Sequence, residues 1–412
     1  MSPYGLRPPG RAAHSPADTH PDTTEPAARA DAAPALGTWT AAGDLPASTY
    51  WASPGPGAVT LADGRVLMAG GENRSRDAQN ATVLFDPATA AWKPGATLSV
   101  SRRLHSLTRL ADGKVLAAGG LSGPYGGVSR PGVTSAEILD PATGAWAPTG
   151  AMHEARFAHS ATLLPDGRVL VAGGIAPRSA LSQKALTSAE LFDPATGEWT
   201  ATGPLHDARC AHQAVLLRSG QVLMVGGMTP IGRGLYAGLS FCELYDPARG
   251  LWTPTGDLDS VRKGHQATLL ADGTVLVTGG DSPGMQKDWT YNPYSQWTAE
   301  RYDPARGTWS AAEGMSTGRS HHQAVLLRSG KLLVIGGTDD STFDVGYQNA
   351  EVYDPQTRTW TATGGMVTGR WSFAAAELQD GGVLVAGGLV RSGAAVADGH
   401  DLATATSEIF RI

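Results

Sequence analysis

The sequence predicts an all-β fold, a seven-bladed β-propeller whose blades are four-stranded antiparallel sheets. Two series of residues predict it: a Gly-Gly doublet closes an apolar run seven times, and a Trp stands in a constant register seven times. The step from Gly173 to Gly226, and again to Gly279, is 53 residues, a period typical of radial β architectures rather than helical solenoids. The doublets begin at Gly70, Gly119, Gly173, Gly226, Gly279, Gly336 and Gly387, and the tryptophans are Trp39, Trp92, Trp146, Trp199, Trp252, Trp309 and Trp360.

One repeat shows the four strands of a blade in order. Asp166 and Gly167 predict a hairpin turn between two apolar runs, strands a and b. Strand b, residues 169–172, is apolar throughout, as expected of a strand that is covered on both faces. The segment from Asp193 to Gly197 predicts a second tight turn, from strand c to strand d. The two short turns therefore share one face, and the long b-to-c and d-to-a connections share the other, where binding residues usually lie.

The first Trp precedes the first Gly-Gly doublet, so the repeat is circularly permuted relative to the chain. Residues 370–412 supply strands a to c of blade seven but no strand d. We expect the strand around Trp39 to complete that blade and so to remove the open sheet edges. Residues 36–412 then form one propeller domain. Residues 1–35, rich in Pro, Ala, Thr and Asp without a long apolar stretch, are expected to be a disordered leader rather than an export signal.

The doublet, the spaced Trp, and a Glu followed by an aromatic residue and Asp-Pro resemble the kelch repeat family, part of the galactose oxidase/kelch superfamily, throughout residues 36–412. The resemblance implies a four-stranded blade but leaves the function open. Some superfamily members are enzymes, including oxidases and a sugar epimerase. Kelch repeats in larger proteins most often serve as protein-interaction modules.

An Arg that opens strand a and a Glu on strand c occur together in six blades and are both missing from blade one, which has Ser53 and Val83 instead. This correlation predicts a partly buried ion pair with a structural role. The arginines are Arg102, Arg156, Arg209, Arg262, Arg319 and Arg370, and the glutamates are Glu137, Glu190, Glu243, Glu300, Glu351 and Glu408.

A His stands three residues after the Arg in five blades: His105, His159, His212, His265 and His322. Each imidazole could pack between blades and bond to the backbone. Alternatively, several could converge at the mouth of the central channel and bind copper, zinc or iron, because neutral imidazole is a common metal ligand.

The segment from Arg156 to Val169 resembles the part of galactose oxidase that brings a copper-ligating His to the channel. In that family a Tyr precedes this His, whereas here the residue is Leu104, Ala158, Ala211, Gly264 or His321. The difference disfavours a radical-copper oxidase and leaves another metal centre open.

Several further residues lie outside the blade consensus, on the long-loop face. We interpret the surplus aromatic residues as candidates for ligand binding and the histidines, together with His159 and His212, as candidate general acids or bases. The aromatic residues are Trp51, Trp289, Tyr291, Trp297, Trp371, Tyr125, Tyr236 and Tyr347, and the loop histidines are His153 and His206. Trp289, Tyr291 and Trp297 belong to the longest insertion, residues 281–298 of blade five.

The net charge of -6 and the lack of a basic run disfavour nucleic acid and anionic membranes as partners. The two Cys lie on strands that are not neighbours, so we expect no disulfide and a cytoplasmic location. Ring closure makes oligomerisation unnecessary for stability, and we expect a monomer. The favoured hypothesis is an enzyme acting on a small molecule at the channel mouth. The alternatives are a small-molecule or glycan binder without chemistry, and a protein-interaction module.

Overall fold

The computed structural model describes residues 36–51, 55, 57–125, 132–179, 182–232, 235–281, 284–285, 291–292, 295–339, 345–392 and 401–412. The leader, residues 1–35, lies outside these ranges. In the described part of the chain the structure is all-β without helices, and seven antiparallel sheets each contain four strands in the order a, b, c, d. The predicted seven-bladed propeller is confirmed.

The strand bounds follow the repeat. Strand a spans Val59–Thr60, Ser106–Arg109, Ser160–Leu163, Gln213–Leu216, Gln266–Leu269, Gln323–Leu326 and Ala374–Glu377 in blades one to seven. Strand b spans Val66–Ala69, Val115–Ala118, Val169–Ala172, Val222–Val225, Val275–Thr278, Leu332–Ile335 and Val383–Ala386. Strand c spans Thr82–Asp86, Ala136–Asp140, Ala189–Asp193, Cys242–Asp246, Ala299–Asp303, Ala350–Asp354 and Ser407–Arg411. Strand d spans Ala91–Pro94, Ala145–Thr149, Glu198–Thr202, Leu251–Pro254, Thr308–Ala312, Thr359–Ala362 and, in blade seven, Thr38–Ala41.

The ring closes through the N-terminal strand, as predicted from the early Trp. Thr38–Ala41 pairs antiparallel with Ser407–Arg411, and Trp39 stands opposite Phe410. The inner strands of successive blades contact one another, and strand a of blade one contacts that of blade seven. The seven strands a therefore surround the central channel.

The core lies between the blades. All four residues of every strand b are buried. In six blades the Trp of strand d packs on an aromatic ring of strand c, with the centroids of Trp199 and Phe192 5.0 Å apart, and in blade two Trp146 stands opposite Leu139. Trp39 and Phe410 repeat this contact at 5.2 Å, although they come from opposite ends of the sequence. Burying a large aromatic side chain removes it from water and stabilises the packed blade.

Four of the b-to-c connections extend the long-loop face with two-stranded hairpins. They pair Ile175–Ser179 with Ser182–Ala185, Met228–Gly232 with Leu235–Gly238, Gly284–Met285 with Tyr291–Asn292, and Leu389–Arg391 with Leu402–Ala403. The hairpins of blades three and four contact each other. The described residues contain no helix that is long and apolar enough to cross a membrane.

Candidate functional site

The Arg and Glu of each consensus blade form a buried ion pair, which confirms the prediction. In blade three the Arg156 guanidinium lies 2.9 Å from Glu190 and also donates to the carbonyl oxygens of Gly173 and Ser188. Burial alone would raise the pKa of Glu190, but hydrogen bonds from His153 and the charge of Arg156 bring that pKa below its usual value. The same pair joins Arg102 to Glu137, Arg209 to Glu243, Arg262 to Glu300, Arg319 to Glu351 and Arg370 to Glu408.

Each consensus imidazole occupies a slot between two blades. A Cβ on Gly119 of blade two would lie only 2.9 Å from Cε1 of His159, and one on Gly174 would lie 2.9 Å from Cβ of His159. Both glycines of a doublet therefore make room for imidazoles. Nε2 of His159 is 3.1 Å from the Ser106 hydroxyl. In blade seven Phe373 takes the same place, with Cε1 2.9 Å from the position of a Cβ on Gly336.

The five buried imidazoles are neutral at physiological pH. Burial, followed by repulsion from Arg156, lowers the pKa of His159 to about 3. Burial likewise lowers the pKa of His105 and His265 to about 3 and that of His212 and His322 well below the usual value. A protonated imidazole would have to lose its hydration inside this packing.

The predicted metal centre is not assembled from these histidines. The five imidazoles occupy separate slots between blades; they are those of His105, His159, His212, His265 and His322. In the described residues, no three His, Cys, Asp or Glu side chains are close enough to hold one ion. The sequence pattern suggested convergence because strand a is innermost. The glycine slots instead hold the rings apart around the circumference.

The two loop histidines lie away from the channel. Nδ1 of His153 is 2.8 Å from Glu190, and Nδ1 of His206 is 2.7 Å from Glu243, so each imidazole contacts the carboxylate of a buried ion pair. Both side chains are half or more exposed, and neither lines the channel. The structure therefore does not place them beside His159 or His212 as a shared catalytic group.

In blades two to seven, the residue immediately before the imidazole position adopts a positive φ, and these six residues form a collar at the long-loop end of the channel. The amide of Ala158 donates to the carbonyl oxygen of Leu104 at 2.9 Å, and that of Ser372 donates to His321 at 3.0 Å. A left-handed conformation costs a residue with a Cβ about 1 kcal/mol, which these hydrogen bonds between blades offset. The collar residues are Leu104, Ala158, Ala211, Gly264, His321 and Ser372.

The channel inside the collar has a volume of about 420 Å³ and is lined by the inner strands, by Trp51 and by three of the imidazoles, His105, His159 and His212. Three glutamines on its wall donate to the next blade: Gln213 to the carbonyl oxygen of His265, Gln266 to that of His322, and Gln323 to that of Phe373, at 2.9 to 3.0 Å. A smaller pocket of about 40 Å³ lies at the collar, lined by residues that include Trp51, His321 and Ser372. The polar wall of the channel therefore also joins blade to blade.

The surplus tryptophans have different environments. Trp51 is only 5% exposed and packs against Gly57 and Gly71. It therefore contributes to the packing of the blades, although it lies outside the blade consensus. The ring of Trp371 packs at a tilt against that of His321, with the ring centroids 5.6 Å apart. Trp297 leaves 57% of its surface exposed. Trp289, and the side chain of Tyr291, lie outside the described residues.

The three loop tyrosines are partly buried contacts of the long loops. The ring of Tyr125 lies between the guanidiniums of Arg76 and Arg103, 5.1 and 5.3 Å from its centroid. Tyr347 lies against the Arg319 guanidinium at 5.7 Å, and burial followed by the charge of Asp339 raises its pKa to about 12. Tyr236 packs against an apolar cluster that includes Phe157 and Cys210.

A partly buried charged network, which sequence reasoning missed, joins blades one, two and seven on the long-loop face. Glu72 accepts hydrogen bonds from Tyr50 at 3.2 Å and from Arg103 at 3.4 Å. Arg76 binds Asp401 with two hydrogen bonds of 2.6 and 3.1 Å. Burial raises the pKa of Glu72, although Arg103 opposes this. None of these residues belongs to the repeat, so the internal comparison of blades carried no signal for the network.

Large exposed hydrophobic side chains concentrate on the long-loop face. Of the seven among the described residues, five lie on the long connections of blades four to seven: Ile231, Trp297, Val345, Val367 and Leu402. Leu251 starts a strand d on the short-turn face, and Ile412 is the last residue. Exposed apolar side chains grouped on one face are typical of an interaction surface.

Comparison with known proteins identifies relatives built from the same repeat. A domain family described as the KLHDC2/KLHL20/DRC7 Kelch-repeats domain matches residues 158–388. Human Kelch-like protein 34 is 25% identical over 308 residues, which cover 73% of this chain and 45% of the relative. Alpha-scruin of Limulus polyphemus is 25% identical over 276 residues, 65% of this chain and 28% of the relative. The chain spans less than half the length of these curated relatives.

A fungal kelch-like protein and a fungal enzyme of known structure are also similar to this chain. Kelch-like protein terF of Aspergillus terreus is 24% identical over 188 residues, which cover 45% of this chain and 39% of the relative. Among solved structures, a fungal alcohol oxidase of the AA5 family in complex with copper superposes with a TM-score of 0.69 at 19% identity, over 91% of this chain and 76% of that one. At this identity the likeness concerns the fold alone.

Proposed function

Because the chain belongs to the kelch-repeat family of β-propellers, we propose that it is a protein-interaction module that binds its partner through the long-loop face. The observation that carries this proposal is the grouping of Ile231, Val345, Val367 and Leu402, all exposed, on the long connections of adjacent blades. Water-exposed aliphatic side chains gain free energy when a partner covers them. The rigid ring beneath them holds these connections in fixed positions.

The use of the candidate catalytic residues supports the same conclusion. The five consensus imidazoles fill slots between blades, and His153 and His206 bond to carboxylates of the scaffold. Three of these imidazoles, His105, His159 and His212, also line the channel, so they stay candidates for a general base. An enzymatic activity at the channel mouth stays a prediction.

Affinity purification from a native lysate of the source organism tests the proposal. In the variant Ile231→Ser/Val367→Ser/Leu402→Ser, partners that the parent protein retains should be lost, because the apolar contact area is removed. The matched control is Leu251→Ser, which removes a similarly exposed Leu from the opposite face. If quantitative mass spectrometry finds the same proteins with the triple variant as with the parent, while thermal unfolding shows that both are folded, the proposal is wrong.

A second candidate function is the binding of a small polar molecule at the collar. Within the described residues, neither the indole Nε1 of Trp51 nor the hydroxyl of Ser372 has a hydrogen-bond partner, and both side chains are buried beside the collar pocket. A buried donor without a partner costs about 1 to 3 kcal/mol, which a ligand carrying acceptor oxygens would recover. Native mass spectrometry of the intact protein would detect such a ligand.

A further inference from the structure

A groove of about 670 Å³ runs along the outer side of blade five. One wall is the loop that enters this blade, from Asp257 to Ser260, and the other contains Trp297 and part of strand d from Trp309 to Ala312. The groove shares no lining residue with the channel or with the collar pocket. Its volume falls within the range of about 300 to 1,000 Å³ that is usual for clefts that bind small molecules.

Trp297 has an exceptional side chain at a position that all seven blades use in the same way. Its carbonyl oxygen accepts a 2.8 Å hydrogen bond from the amide of Met315, and the corresponding carbonyl in every other blade accepts the equivalent bond. The backbone role therefore does not require an aromatic side chain. The other blades carry Asn80, Thr134, Thr187, Ser240, Gln348 and Ala405 at this position.

Gly314 provides the space in which the indole of Trp297 lies. A Cβ at Gly314 would overlap Cε3 and Cζ3 of the indole. Blade six has Gly365 at the equivalent position, where a Cβ would lie 3.5 Å or more from Gln348, the residue that takes the place of Trp297. Trp297 leaves 57% of its surface exposed beside the groove, and so it presents an aromatic face to a ligand.

The N–H donors that line the groove are bound within the protein. The amides of Asp259 and Ser260 donate to the Glu300 carboxylate at 2.7 and 3.4 Å. The guanidinium of Arg262 is buried and makes five hydrogen bonds, two of them to Glu300. Nε1 of Trp309 donates to a backbone carbonyl oxygen at 2.9 Å. These N–H groups are therefore not available to bind acceptor atoms of a ligand.

The entering loop supplies acceptor oxygens instead. Asp257 lines the groove with an exposed side chain. Its carboxylate accepts a 3.4 Å hydrogen bond from the amide of Cys242, which ties the side chain to the start of a strand c. A carboxylate has about four acceptor sites, and this bond uses one of them. The groove thus combines an aromatic face with a fixed acceptor and suits a ligand that has both an apolar face and O–H donors.

We propose that this groove binds a neutral sugar ring of an oligosaccharide. A sugar ring has an apolar C–H face that can pack on the indole of Trp297, and a rim of hydroxyl groups that can donate to Asp257. A carboxylated or sulfated sugar would instead bring further acceptors into a groove whose N–H donors are already bound. The site goes beyond the proposed interaction function and does not include Ile231, Val367 or Leu402.

An array of immobilised tetrasaccharides tests the proposal with the intact protein. The neutral set contains α- and β-linked forms of glucose, mannose, galactose and N-acetylglucosamine, and the acidic set contains galacturonic acid and sulfated galactose. At least one neutral tetrasaccharide should bind, and the acidic ones should not. Binding of no neutral tetrasaccharide, or equal binding of the acidic set, overturns the proposal.

The neutral tetrasaccharide that binds most strongly is then titrated into variants by isothermal titration calorimetry. Trp297→Thr installs the residue of blades two and three and should weaken binding about tenfold, because the aromatic face is lost. Asp257→Ala installs the residue that blade three has at this position, Ala151, and should weaken binding about fivefold. Undiminished binding by Trp297→Thr overturns the proposal.

A pair of glycine variants tests the placement of the ligand on the indole. Gly314→Ala should weaken binding because the added Cβ displaces the indole, whereas Gly365→Ala, the matched control in blade six, should leave binding unchanged. Equal binding by these two variants would overturn the placement.

The variant Ile231→Ser/Val367→Ser/Leu402→Ser separates this site from the proposed interaction surface. It should bind the tetrasaccharide as the parent does, because none of the three residues lines the groove. Loss of tetrasaccharide binding by this variant, with thermal unfolding showing that it is folded, would overturn the sugar site. The affinity purification tests the interaction function independently of this result.

Discussion

Replacing His159 with Phe should make the stability of the protein less sensitive to acid. The imidazole is buried in a slot between Gly119 and Gly174, and blade seven shows that a Phe fits the equivalent slot. The neutral ring has a pKa of about 3 in the folded protein against an ordinary value of 6.5. The unfolded chain therefore binds a proton that the folded chain rejects, and stability is lost as the pH falls from 6.5 toward 3.

The size of the effect follows from the two pKa values. At pH 7.5 the imidazole of the unfolded chain is mostly neutral, so proton binding lowers the free energy of unfolding by only about 0.1 kcal/mol. A pH of 5 lies 1.5 units below the ordinary pKa of 6.5, so proton binding to the unfolded chain lowers the free energy of unfolding by about 2 kcal/mol. The variant also loses the hydrogen bond to Ser106, which costs about 1 kcal/mol at either pH. His159→Phe should thus be less stable than the parent at pH 7.5 and equal or more stable at pH 5.

Urea unfolding followed by tryptophan fluorescence at both pH values measures this difference. Ser106→Ala is the control, because it removes the same hydrogen bond and leaves the imidazole in place, and its cost should be the same at pH 7.5 and pH 5. A stability difference between His159→Phe and the parent that does not change with pH would refute a buried neutral imidazole at this position.

Two other outcomes test the collar and the ring closure. If the collar pocket holds a small molecule, native mass spectrometry should detect it on the parent and lose it with Ser372→Ala, whose hydroxyl is the missing contact; detection on neither protein would contradict the second candidate function. Trp39→Ala should lower the urea midpoint further than Trp360→Ala, because both remove an aromatic contact of about 5 Å but only Trp39 lies on the closing strand. Equal midpoints would argue against a special role for the closing strand.

The architecture could be predicted from the sequence because the same turn, Gly-Gly and Trp positions recur in successive blades. The early Trp39 predicted the closing strand, and the joint absence of Arg and Glu from blade one predicted the ion pairs that the structure shows. Such comparisons detect whatever is shared among blades. They succeed for residues whose partner belongs to the same blade, as with Arg156 and Glu190.

The site was harder to predict because its contacts cross between blades. The direction of the His159 ring depends on Gly119 of the neighbouring blade, and the doublets were interpreted only as markers of the repeat. The co-occurrence of a Gly-Gly doublet with a His in the following blade was the signal that could have identified the slots. Trp51 was interpreted as a binding residue because it lies outside the blade consensus, yet its side chain is buried.

Closure by the N-terminal strand also sets the order in which the molecule becomes complete. The Thr40 hydroxyl bonds to the carbonyl oxygen of Ile409, 369 positions later in the sequence. During synthesis Thr38–Ala41 must wait for Ser407–Arg411, while blades one to six can already have all their strands. Contacts so distant in sequence form slowly. Until Ser407–Arg411 has been synthesised, Thr38–Ala41 lacks its partner strand, and at this stage the incomplete ring is most exposed to aggregation and to chaperones.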